Sequence, residues 1–198
     1  MNVSRETKAR LDAYAALLTK WNPAINLVAK STLPDLWTRH IADSAQLFDL
    51  CPPDARTWVD LGSGGGFPGM VAAILAHDIR PELRVTLVES DQRKATFLRT
   101  VARVTEVPAE IHSQRAESLP PQGADVLSAR ALAPLPLLLS YAFRHLGSGG
   151  VAFLPKGAQA DAEIAEALAS WAFQVQKTPS KTDPQAVILS IKGLTRAA

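Results

Sequence analysis

Along the first fifty residues the apolar positions recur at helical spacing. Leu11, Tyr14, Leu18 and Trp21 share one face. That spacing predicts a helix from Ser4 to Trp21, with Ser4 as N-cap, Glu6 in the first turn and Asn22-Pro23 ending it. After a short segment, Ala24 to Lys30, Ser31 or Thr32 is expected to cap a second helix with Pro34 in its first turn. Leu33, Trp37, Ile41 and Leu47 or Phe48 form its stripe, with Arg39, His40 and Asp43 beside it. Pro52-Pro53-Asp54 reads as a joint. Beyond it the pattern changes. Short apolar runs at Thr57–Leu61, Val85–Glu89, Ala109–His112, Asp125–Ala129 and Val151–Leu154 alternate with helical stretches. The helices are expected over Met70–Ala76, Asp91–Thr105, the segment after Pro134-Leu135-Pro136 to about His145, and Ala160–Ser170. Gly147-Ser148-Gly149-Gly150 is expected to end the third of these. Such alternation predicts a parallel sheet covered on both faces. Phe173–Lys177 and Ala186–Ile191 close the chain, and the link between them is too short for a crossover helix, so they are expected to run antiparallel.

The run Thr57-Trp58-Val59-Asp60-Leu61-Gly62-Ser63-Gly64-Gly65-Gly66-Phe67-Pro68-Gly69 carries the first chemical message. A buried strand ending in an acid leads into a glycine turn and then a helix start with Pro68 in its first turn. Glycines such as Gly62 and Gly64 let backbone approach a ligand without Cβ obstruction, and the helix start presents N–H groups to a nucleotide. The second strand also ends in an acid, Glu89, which can accept from both hydroxyls of a ribose; Ser90 or Asp91 could share that role. NAD domains and S-adenosylmethionine (SAM) methyltransferases share this device. Five strand–helix units followed by a closing pair fit the methyltransferase sheet, whereas a dinucleotide fold would normally repeat its half with a sixth parallel strand. The expected class is therefore α/β: a Rossmann-like, class I SAM-dependent methyltransferase fold. It has a seven-stranded, mostly parallel sheet, an antiparallel closing strand and N-terminal helices. Residues 1–55 are read as a helical extension and 56–198 as the methyltransferase domain.

Composition refines this little. Of 198 residues 47% are hydrophobic, enough for a sizeable core, and the formal charge is only +2. That mild basicity permits a nucleic-acid partner without arguing for one. The single cysteine, Cys51, allows no internal disulfide, and no clustered Cys/His spacing supports a metal. No apolar run approaches the roughly 18 residues of a membrane span. A soluble, cytoplasmic monomer is expected, without membrane contact.

Several blocks then occur in order: Asn26-Leu27, Arg39-His40-Ile41-Ala42-Asp43-Ser44, the glycine run ending Phe67-Pro68-Gly69, Arg93-Lys94 with Phe97-Leu98, Arg130-Ala131, and Lys156-Gly157. Together they resemble the ribosomal RNA small subunit methyltransferase G family, formerly glucose-inhibited division protein B, over about residues 10 to 192. The resemblance implies an enzyme that transfers methyl from SAM to N7 of one guanine in 16S ribosomal RNA, with that RNA or the small ribosomal subunit as partner. It implies SAM contacts at Gly62 and Phe67, an adenine bracket at Ala116 and Glu117, and a further cofactor contact at Arg130. One departure stands out: Ala129 precedes that arginine where a serine is expected, and Ser128 lies one place earlier.

Guanine N7 already carries an exposed lone pair, so no strong base and no cysteine nucleophile are needed. Holding N7 in line with the methyl donor is the task, and the base must be unstacked first. An Asn/Asp-Pro-Pro-Tyr loop, suited to amine methylation, is accordingly missing; that position reads Ala129-Arg130-Ala131-Leu132. Arg130 is the first candidate for the base, by pairing with O6 or phosphate or by stacking; the alternative is a structural ion pair. Lys156, at the carboxyl edge of the sheet, is a candidate for RNA phosphate or base. Asn26 is expected either to bond the base edge or to satisfy its own turn. His40 is expected either to touch substrate or to pack against backbone. Asp60 is expected to brace the glycine loop through backbone N–H groups, and the four tryptophans to belong to the core. Two rivals remain at this point: an NAD-binding dehydrogenase-like domain and a non-catalytic RNA-binding module.

Overall fold

The computed structural model describes residues 3–197. Seven strands, β1 (Thr57–Leu61), β2 (Arg84–Val88), β3 (Ala109–His112), β4 (Ala124–Ala129), β5 (Leu146–Lys156), β6 (Trp171–Pro179) and β7 (Val187–Arg196), form one sheet. Their order is β3-β2-β1-β4-β5-β7-β6. The first five are parallel; β7 lies antiparallel between β5 and β6. This is the expected α/β class, closing pair included. The chain steps outward from β1 to β3 and then returns to β4. The crevice at the carboxyl ends of β1 and β4 is therefore the switch point where such sheets bind ligands.

Among the described residues six α-helices pack around the sheet: α1 (Arg5–Ile25), α2 (Asp43–Asp49), α3 (Gly69–Ile79), α4 (Gln92–Thr105), α5 (Leu135–His145) and α6 (Ala160–Ala167). Alternation along each strand builds two cores. Trp58, Val85, Leu87, Val126, Phe153 and Ile188 face one side and pack with Leu11, Tyr14 and Leu18 of α1, with α3, and with Phe97 and Leu98 of α4. Val59, Leu61, Leu127, Ala152, Leu154 and Leu189 face the other and pack with Leu135, Leu138 and Leu139 of α5. Helix α3 is buried from Gly69 to Ala76, which is why its sequence is apolar all round.

The N-terminal helices depart from the reading of the sequence. Asn22-Pro23 does not end α1, which continues to Ile25 and is closed by Asn26 in the left-handed region at φ 48°. Pro23 is tolerated because it sits on the exposed side in the last turn, where the carbonyl it leaves unpaired faces water. The second helix does not start at Ser31 or Thr32. Lys30–Thr32 closes a short 3-10 turn instead, with the Thr32 hydroxyl donating to the Ala29 carbonyl. The chain re-enters helix only at Trp37, as a π-helical stretch Trp37–Ala42 that leads directly into α2.

Two further boundaries move. Gly147 to Gly150 lie within β5 rather than in a helix-ending turn. A Cβ on Gly147 would lie 2.8 Å from the Gly123 carbonyl oxygen, and one on Gly150 2.7 Å from that of Ala124. These glycines serve close strand contact, at the point where the β4–β5 register shifts. Helix α6 stops at Ala167, and β6 and β7 extend beyond the expected pair, since Trp171 and Leu194 add to the second core.

Candidate active site

The glycine turn between β1 and α3 occupies the switch point. Gly62 adopts φ 64° and Gly64 φ 55°, conformations costly for any side chain. A Cβ on Gly62 would lie 2.5 Å from Leu132 Cδ1. Pro68 caps α3 and follows Phe67 through a cis peptide. The turn is held from three directions. Ser63 N–H donates to the Val88 carbonyl at 3.1 Å. The fully buried Tyr14 donates its hydroxyl to the Gly65 carbonyl. Glu89 accepts the Gly64 N–H on Oε2 at 2.8 Å and the Asp91 N–H on Oε1 at 2.7 Å.

Glu89 thus does the bracing expected of Asp60. Asp60 shares a sheet face with Trp58 and lies opposite Ser128, so its carboxylate turns toward the neighbouring strand. Trp58 Nε1–H donates to Ser128 Oγ at 2.8 Å, and that hydroxyl donates to Asp60 Oδ1 at 2.6 Å. Ser128 thus uses its hydroxyl inside the sheet, between Trp58 and Asp60. Asp60 Oδ2 is buried without a hydrogen-bond partner among the described residues. Burial pushes the carboxyl up to about 6, despite the Ser128 bond.

That shift has a sign. Between about pH 4 and 6 the folded Asp60 binds a proton that the unfolded one has released, so its contribution to stability falls as pH rises through that window. His40 works the opposite way. Burial, then Arg130, lower it from 6.5 to about 4, so its contribution grows with pH across that range. Asp60→Asn should therefore gain stability relative to the parent as pH rises from 4 to 6. Urea midpoints at pH 4.5 and 7 would show it; an unchanged difference would mean that Asp60 titrates as an ordinary carboxylate.

Around the turn opens a cavity of about 800 Å³, walled by Leu27, Thr32, His40, Gly62, Phe67 and Arg130 among others. Arg130, following β4, lines its wall. Its Nη2 donates to His40 Nδ1 at 2.9 Å, its Nη1 lies 3.5 Å from Asp43 Oδ2, and its guanidinium lies 5.1 Å from the Phe67 ring centroid. His40 stacks on the same ring at 5.0 Å. Because arginine only donates, His40 Nδ1 must accept, so its proton sits on Nε2, which donates to Thr32 Oγ1 at 2.8 Å. His40 is a neutral brace for Arg130 at pH 7 rather than a proton carrier.

The other expected residues divide. Gly62, Gly64, Phe67 and Glu89 border the main cavity. Ala116 and Glu117, in the short turn Ala116–Ser118, line an adjoining cavity of about 200 Å³ with Tyr141. Gly62, Ser90 and Leu132 belong to both walls. Lys156 lines a third cavity, of about 370 Å³, that shares Arg130 and Asp43 with the first. It is already paired with Glu163 at 2.7 Å. Asn26 does not line the main cavity; it closes α1, its backbone N–H donating to the Asn22 carbonyl.

Three contributors had no legible mark. Tyr14 looked like another apolar stripe position. Leu132 covers Gly62 from the loop after β4. The loop between β6 and β7 supplies Thr182, Asp183 and Pro184 to the cavity wall and is fastened to α2. Thr182 Oγ1–H donates to Asp43 Oδ1 at 2.6 Å, and Gln46 Oε1 accepts the Lys181 N–H at 2.9 Å.

The sequence model of the rRNA small subunit methyltransferase G family matches residues 7–189. The chain belongs to this family. A ribosomal RNA small subunit methyltransferase G of Rhodospirillum centenum is 58% identical over 189 residues, 96% of this chain and 85% of that protein. One of Cereibacter sphaeroides is 53% identical over 194 residues, 98% of this chain and 94% of that protein. Among solved structures, an O-methyltransferase of Bacillus cereus in complex with SAH is similar with a TM-score of 0.60 at 14% identity, covering 97% of this chain and 92% of that one. That likeness shows the shared class I methyltransferase fold.

The cofactor of such methyltransferases is SAM, and the family member described here has residues that fit it. Gly62 leaves backbone bare where a Cβ would collide with Leu132, Gly64 holds a left-handed conformation where a Cβ would meet no clash, Glu89 has a lone pair on each oxygen beyond those its two N–H donors use, and a side cavity continues past Gly62. Among the described residues no helix is long and apolar enough to cross a membrane, and no group of three His, Cys, Asp or Glu could hold a metal ion.

Proposed function

We propose that this chain transfers a methyl group from SAM to N7 of a specific guanine in 16S ribosomal RNA, acting as a cytoplasmic monomer on the RNA or the small subunit. The observation that carries the reading is Arg130. A guanidinium largely withdrawn from water is clamped by a neutral His40, Asp43 and Phe67 at the edge of the cavity beside the glycine turn. Preorganised donors of this kind act best in a site from which water is excluded.

Bound SAM supplies an electrophilic sulfonium methyl. Glu89 holds the ribose hydroxyls while continuing to tie Gly64. The turn at Gly62 admits the nucleoside close to backbone, and Ala116 and Glu117 bracket its adenine. Arg130 orients the target base by donating to O6, leaving N7 free to attack. His40 fixes Arg130 and takes no proton. Residues 1–55 serve as an extension of the 56–198 domain that supplies His40 and Asp43 to the site.

The test is transfer of label from SAM to small subunits that lack the modification, followed by mapping of 7-methylguanosine by its chain-cleavage chemistry. One labelled guanosine is expected. Label at another atom would overturn the N7 assignment, and no transfer beside an active control enzyme would overturn the reading.

A further inference from the structure

Four carboxylates, Asp43, Glu89, Glu163 and Asp183, line the main cavity or the third cavity beside it. Asp43 is paired with Arg130 at 3.5 Å and Glu163 with Lys156 at 2.7 Å. Glu89 gives each oxygen to a backbone N–H. Asp183 differs. Its Oδ1 accepts the Gln185 N–H at 2.9 Å, while Oδ2 has no hydrogen-bond partner and the carboxylate no ion pair among the described residues. It is half-buried and borders both cavities, as Arg130 does.

A carboxylate with a spare oxygen is repelled by an RNA phosphate, so it fits a base edge rather than the backbone. Guanine is the base that offers one carboxylate two adjacent donors, N1–H and the 2-amino group. Adenine carries an acceptor at N1 and no 2-amino group. N1 and the 2-amino group lie across the ring from N7, so gripping them leaves N7 pointing away, toward a methyl donor.

Resting on the proposed function, we infer that Asp183 is the specificity-determining residue for guanine, accepting from N1–H and the 2-amino group while Arg130 serves O6. The loop that carries Asp183 is set by α2 rather than by the sheet. Asp43 accepts Thr182 Oγ1–H at 2.6 Å, and Lys181 pairs with Asp49 at 3.1 Å. The reader of one base edge is thereby anchored to the acid that pairs with Arg130.

The experiment compares guanosine with inosine, which lacks only the 2-amino group. Ligated 16S rRNA carrying either nucleoside at the target is assembled into small subunits. Parent enzyme and Asp183→Asn, which keeps Oδ1 for Gln185, are assayed for kcat/KM. The parent is expected to prefer guanosine by about ten- to a hundredfold, the range for a hydrogen bond to a charged group. Asp183→Asn should lose a similar factor on guanosine, show a guanosine-to-inosine ratio near one, and bind SAM as the parent does. A parent that treats both nucleosides alike, or a variant that keeps the parent's ratio, would overturn the assignment to Asp183 while leaving the proposed function standing. A parent inactive on guanosine would overturn the proposed function and the inference with it.

Discussion

Arg130→Ala is expected to lower methyl transfer to small subunits by about a thousandfold or more, because a preorganised donor beside the reacting base is removed. SAM affinity should fall far less, by about tenfold at most, since the cofactor contacts assigned to Gly62 and Glu89 are untouched. The fold should survive. Asp43 loses one partner but keeps Thr182, Gln46 and Ser180 as donors, and His40 keeps Thr32. A stability loss of about 1–2 kcal/mol follows for hydrogen bonds removed from groups that retain others. Arg130→Lys should also fail to restore rate. An ammonium cannot stack on Phe67 and bond His40 and base in one plane. Single-turnover transfer and calorimetric SAM titration separate the two effects. Near-normal turnover would reduce Arg130 to a structural ion pair.

Glu89→Ala is expected to weaken SAM binding about a hundredfold, or ~2.7 kcal/mol. Two losses combine. The ribose loses its acceptor, and the Gly64 and Asp91 N–H groups lose theirs, so the turn no longer has a fixed shape to offer. Glu89→Gln keeps one acceptor and should fall between the two. Isothermal titration with SAM and with S-adenosylhomocysteine reads both variants. Unaltered affinity would place the ribose away from the end of β2.

What could be read along the chain was what local chemistry dictates. The strand–glycine–helix unit at Thr57–Gly69 and the acid ending the second strand are each contained in one short stretch of chain. The alternating pattern likewise carried the sheet class through to its antiparallel close. What stayed hidden depends on partners distant in sequence. The Tyr14 hydroxyl finds its carbonyl 51 residues away, and Thr182 finds Asp43 across 139. Asp60 was assigned to the nearest donors, the glycine loop, but Ser128 on the neighbouring strand offers a better-placed hydroxyl. Asn26 was offered two roles; its left-handed conformation at the end of α1 fits the local one. The start of the second helix was misplaced because a threonine near a proline serves a tight turn as readily as a cap.

The fastening of the β6–β7 loop to α2 has a consequence for when the enzyme becomes competent. Translation releases the N-terminal helices first, and Asp43 can meet Arg130 while the last hairpin is still inside the exit tunnel. Thr182 and Asp183 arrive later, with the β6–β7 hairpin. A nascent polypeptide therefore carries an unfinished pocket until that hairpin has emerged and docked on α2.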